Sequence, residues 1–79
     1  MLQNQLLDNG TLISSQEIVK KYDISYQTLN YYTSIGLLIV RKRKGNSRLY
    51  QEQEIEQRLG RIEALKDQGY PLRLICKMV

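Results

Sequence analysis

Ser25-Tyr26-Gln27-Thr28-Leu29-Asn30-Tyr31-Tyr32-Thr33-Ser34-Ile35-Gly36 is the stretch from which the fold of this 79-residue chain can be worked out. It has a start signal and a stop signal for one short helix. The Ser25 hydroxyl can accept from an orphan N–H of a first turn, and Gly36 can take the left-handed conformation that closes a helix. At about 100° per residue, Thr28, Leu29, Tyr32 and Ile35 share one face and can enter a core. Tyr26, Gln27, Asn30 and Ser34 share the opposite face, which is polar and uncharged. Gln and Asn can pair with adenine in a major groove. An ordinary solvated polar face would look the same, and the stretch alone favours that reading.

The surrounding charge separates the two. Between Asp23 and Glu52 there is no acidic residue, while Arg41, Lys42, Arg43, Lys44 and Arg48 all lie there, a local charge of +5. The seven other cations and eight acids sum to −1, giving the net +4 of the chain. Solvated surfaces intersperse their signs. A positive block beside a polar helix is the electrostatic footprint of a nucleic-acid-binding face.

Composition narrows the classes further. One domain with a small core is expected at this length. One cysteine and no histidine give no disulfide framework, zinc site or Cys–His nucleophile pair. No acid–base or nucleophile constellation suggests an enzyme, and no cofactor is expected. The longest apolar run, Leu37 to Val40, is far too short to span a membrane. The expected compartment is a reducing bacterial cytoplasm, with Cys76 a small buried hydrophobe.

Residues 1–11, rich in Gln, Asn and Leu, suggest a flexible arm or tag remnant, with a turn signal at Asn9-Gly10. The folded domain is expected over residues 12–79. Leu12 and Ile13 form an apolar lead-in to a helix, and Ser14-Ser15-Gln16-Glu17 is a capping box. Ile18, Val19 and Tyr22 supply that helix's stripe, Tyr22-Asp23-Ile24 breaks it, and Ser25 restarts it. Two short helices so joined form a helix-turn-helix whose second member reads. Leu37-Leu38-Ile39-Val40 then predicts a strand, Gly45-Asn46-Ser47 a turn and Arg48-Leu49-Tyr50 a returning strand. This two-stranded wing carries cations near its tip and must lean on the helices through Leu38, Val40, Leu49 and Tyr50. A long helix is predicted over 51–68, with Ile55, Leu59, Ile62 and Leu65 inward; Gly60 suggests close approach of another backbone. Gly69 ends it, and Pro71 opens a last helix over 72–79, whose Leu74 and Met78 lie off the inward face.

Thr28-Leu29-Asn30-Tyr31-Tyr32, Ile35-Gly36-Leu37-Leu38, Arg48-Leu49-Tyr50 and Gln68-Gly69-Tyr70 together resemble the DNA-binding domain of the MerR family, in order and spacing. The resemblance implies a mainly α fold with a small two-stranded β wing, a winged helix-turn-helix. It implies a bacterial transcription regulator that binds palindromic promoter sites in double-stranded DNA as a homodimer, through elements at or beyond the C-terminal end, and that acts indirectly on RNA polymerase. The family's contacts in the second helix fall on Ser25, Tyr26, Gln27, Asn30, Tyr31 and Tyr32, and its wing contacts on Arg41, Lys42, Arg43, Lys44 and Arg48. There are departures. Asn30 stands where the family usually has Arg, and Asn46-Ser47-Arg48 where it usually has Gly-Tyr-Arg. The family's metal-binding cysteines and ligand-binding domain have no counterpart. Ile13-Ser14-Ser15-Gln16-Glu17 is equally similar to small excisionase-type winged helices, which bend DNA for recombination. A module whose basic wing grips an acidic protein is the remaining alternative.

Overall fold

The computed structural model describes residues 11–79. The arm expected over residues 1–11 and the Asn9-Gly10 turn thus lie, all but Thr11, outside the described residues. The elements are β1 (Leu12–Ser14), α1 (Ser15–Tyr22), α2 (Tyr26–Ser34), β2 (Lys42–Lys44), β3 (Ser47–Gln51), α3 (Glu52–Asp67) and α4 (Leu72–Met78). The architecture is mainly helical with a small antiparallel sheet, as the sequence implies.

Local signals set the helix ends. Ser14 Oγ accepts from the Glu17 N–H at 3.2 Å, and Glu17 Oε1 accepts from the Ser14 N–H at 2.9 Å. That second bond holds the Glu17 carboxyl below its ordinary pKa. Asp23 ends α1 in the left-handed region, at φ 55°. Ser25 caps α2 by accepting from the Thr28 N–H at 3.0 Å. Gly36, at φ 85°, closes α2: its own N–H donates to Thr33 O at 3.2 Å and that of Leu37 to Tyr32 O at 2.9 Å. This pair of bonds is a Schellman motif, whose left-handed residue favours glycine. The same pattern ends α3 at Gly69, where the Tyr70 N–H reaches Leu65 O.

The wing differs from expectation in two ways. First, the sheet has three strands in the order β1-β3-β2, because the apolar lead-in Leu12–Ser14 pairs with β3, Ile13 opposite Tyr50. Ile13 is thereby buried, and β3 becomes the central strand. Second, the run from Leu37 to Val40 is not a strand. Leu37 and Leu38 are both buried, each 1% exposed, and both donate their N–H groups to Tyr32 O. Consecutive strand residues point to opposite faces, so two adjacent leucines cannot both enter one core from a half-exposed strand. The outer strand starts at Lys42 instead, preceded by a bond from the Arg41 N–H to Leu49 O of 2.9 Å. Its turn is the two residues Gly45-Asn46, with Lys44 opposite Ser47 and Gly45 at φ 61°.

The core gathers Ile13, Ile18, Leu29, Tyr32, Tyr50, Ile55, Ile62, Leu65 and Ile75 around the two leucines. Val40 and Leu59 pack against it half-buried. Gly60 does not mark a close approach: a Cβ there would meet nothing within 4 Å. In α4, Ile75 is buried while Leu74 and Met78 face outward. Cys76 is half-buried, not buried, and its Sγ lies 3.8 Å from Ile35 O. Arg58 Nη1 donates to Leu37 O at 3.1 Å and Arg61 Nη2 to Met78 O at 3.2 Å, tying α3 to the segment after α2 and to the end of α4.

Candidate nucleic-acid interface

The outward face of α2 carries Tyr26 and Tyr31, each about half exposed, with Gln27 exposed between them. Asn30 lies half-buried on the side toward the sheet. Tyr32, placed inward by its helical spacing and counted as a contact by the resemblance, is 5% exposed and its ring belongs to the core. The resemblance pairs Tyr31 with Tyr32, but adjacent helical residues sit about 100° apart, so only one of the two can face out. The Ser25 hydroxyl is occupied by its cap, accepting from the Thr28 N–H and donating to Thr28 Oγ1 at 2.8 Å.

β3 brings Arg48 beside this helix. Its Nη2 donates to Asn30 Oδ1, and its guanidinium carbon lies 5.8 Å from the ring centroids of both Tyr26 and Tyr50. A guanidinium over aromatic faces is held by the ring quadrupoles. Tyr50, fully buried, is itself anchored by a 2.9 Å hydrogen bond between its hydroxyl and Thr33 Oγ1. Asn30, where the family's arginine is missing, thus positions an arginine that arrives from the wing.

Strand alternation divides the remaining wing cations. Arg43 stands directly opposite Arg48 and therefore shares its face. Lys42 and Lys44, opposite Leu49 and Ser47, lie on the other face. Like charges directly opposed across a ladder repel, so the Arg43–Arg48 pair favours an anion between or beside them. Lys42, Arg43 and Lys44 are exposed and make no ion pair among the described residues. Arg41 is different. Its Nε and Nη2 donate to the two oxygens of Glu54 at 3.1 and 2.5 Å, and that hydrogen bonding raises its pKa. Its charge is already met by the first turn of α3. The structure therefore brings Tyr26, Asn30, Arg43 and Arg48 together, places Lys42 and Lys44 on the reverse of the ribbon, and takes Arg41 and Tyr32 out of the cluster.

Sequence reading did not find Glu54, because a fork between two elements has no fixed spacing. Nor did it find the hollow bounded by Ser15 and the wing, whose parts are far apart along the chain. No group of His, Cys, Asp or Glu among the described residues could hold a metal ion. No helix among them is long and apolar enough to cross a membrane.

No curated protein and no solved structure matches this chain. The sequence model of the MerR HTH family regulatory proteins matches it over residues 13–79, from the first strand to the last residue. That family is one of DNA-binding transcription regulators, not of enzymes. With the helix-turn-helix, its capping serines and its basic wing in place, the chain belongs to the MerR helix-turn-helix family.

Proposed function

We propose that this chain binds double-stranded DNA sequence-specifically, with α2 in the major groove and the wing along the adjacent backbone. Gln27 faces base edges, flanked by Tyr26 and Tyr31, while Asn30, expected as a second reader, holds Arg48 at the edge of that face. Arg43 and Arg48 hold phosphates on one side of the wing and Lys42 and Lys44 on the other. The chain acts as half of a homodimer on a palindromic operator in the bacterial cytoplasm, regulates transcription from it, and affects RNA polymerase through the DNA.

The observation that carries this reading is the Arg48 bond to Asn30. It fixes a wing cation against the reading helix, so that a base-reading face and a phosphate-holding face form one continuous surface. Phosphate contacts set register and base contacts set sequence, and the pair couples the two. The test begins with sequencing the DNA that the protein selects from genomic fragments, followed by competition with single base-pair changes. Gln27→Ala should lose about 1–3 kcal/mol of discrimination at one position and little elsewhere. Uniform weakening on every sequence would remove Gln27 from the bases and misplace the helix.

A further inference from the structure

A polar cleft of about 270 Å³ lies between the first turn of α1 and the wing. Ser14, Ser15 and Gln16 form one side, and Tyr26, Ser47 and Arg48 stand across from them. Set into its wall is Ser15, 7% exposed, whose Oγ has no hydrogen-bond partner among the described residues. A buried hydroxyl without a partner is costly, and native folds leave few of them. Ser14 Oγ satisfies the Glu17 N–H. The N–H groups of Ser15 and Gln16, as members of a helical first turn, have no intrahelical acceptor and carry the positive end of the helix. Across the cleft, Arg48 spends one N–H on Asn30 and faces Arg43 on the neighbouring strand. The nearest acid in sequence, Glu17, is turned back onto the Ser14 N–H and lines a separate hollow with Leu12 and Lys20.

Backbone N–H groups of a first helical turn and a guanidinium therefore flank one small space, and a buried, unpartnered hydroxyl stands in its wall. We propose that this cleft seats one phosphodiester of the DNA backbone. Its oxygens accept from the Ser15 and Gln16 N–H groups and from Ser15 Oγ, which reaches the cleft by rotation to another staggered χ1, while Arg48 closes the opposite side. This rests on the DNA-binding reading above, and adds to it a contact from α1 that neither the reading helix nor the wing supplies alone.

The experiment compares the whole protein with Ser15→Ala, on the selected duplex and on a set of duplexes each carrying one neutral methylphosphonate linkage. Ser15→Ala should lower affinity about tenfold on any sequence, the scale of a hydrogen bond to a charged group. Because the lost hydroxyl is unpaired in the free protein, its melting temperature should hold or rise. One linkage should weaken wild type when neutralised and weaken Ser15→Ala much less. A fallen melting temperature with unchanged affinity would make Ser15 a structural residue and overturn the site. Tight wild-type binding with no linkage coupled to Ser15 would overturn the site and leave the DNA reading standing. Absence of any duplex binding by wild type would overturn both. A titration with inorganic phosphate that moves the Ser15 and Gln16 amide resonances, without a coupled linkage in the duplex, would make the cleft a free-anion site and refute the proposal.

Discussion

Arg41 and Arg48 carry the same charge and differ in what already holds it. Glu54 grips Arg41 with both oxygens, whereas among the described residues Arg48 is held by a neutral amide and two rings. A cation that gives up no counterion to phosphate adds nothing to the salt dependence of binding. Arg48→Ala should therefore flatten the slope of log affinity against log salt by about one unit, and Arg41→Ala should leave it nearly unchanged. Binding isotherms at several salt concentrations decide the point, and equal slopes for the two variants would mean that Glu54 releases Arg41 on DNA. From sequence the two arginines look equivalent, both cations of the wing segment. Their difference depends on where the first turn of α3 lies relative to β2. Tyr32 teaches the same lesson in reverse: its periodicity places it inward with Leu29, whereas the family motif counts it as a contact.

Elements were legible where their determinants are neighbours in the chain. The Ser14–Glu17 box, the Ser25 cap and the Gly36 stop each act over a few residues, and each forms as its residue types require. The elements that escaped reading depend on distant partners. β1 exists because Tyr50 and Leu49 are available to pair, and Leu37-Leu38, with the composition of a strand, is drawn into the core after α2. Gly60 belongs to neither class. It lies in an exposed helix interior with open space where a Cβ would go, so its residue type is not required by packing. Gly60→Ala should stabilise the domain by about 1 kcal/mol, a rise in melting temperature of about 4–8 °C for a domain of this size. A thermal melt showing no gain would reveal a constraint on that face which the free chain does not display.

The whole molecule presents one basic and polar face, α2 with the wing, and at α4 an apolar pair, Leu74 and Met78, exposed 44% and 38%. If half-sites are read by two copies, joining them raises affinity through effective concentration, by about 10²–10⁴ without a new base contact. A dimeric coiled coil fused after Val79, with a linker able to span both half-sites, should strengthen binding to the palindrome far more than to a single half-site. Equal gains on the two DNAs would argue against a symmetric dimer. Between these two regions runs a joint with no slack. β3 ends at Gln51 and α3 begins at Glu52, with no intervening loop. The Glu52 N–H donates to Thr11 O at 3.0 Å, the Glu52 carboxylate pairs with Lys21, and Glu54 grips Arg41. A loop would absorb a change of angle, but a clamped corner works as a crank. Five strand residues reach about 17 Å, so a tilt of about 10° in the long helix sweeps the wing tip through about 3 Å, roughly the length of one hydrogen bond.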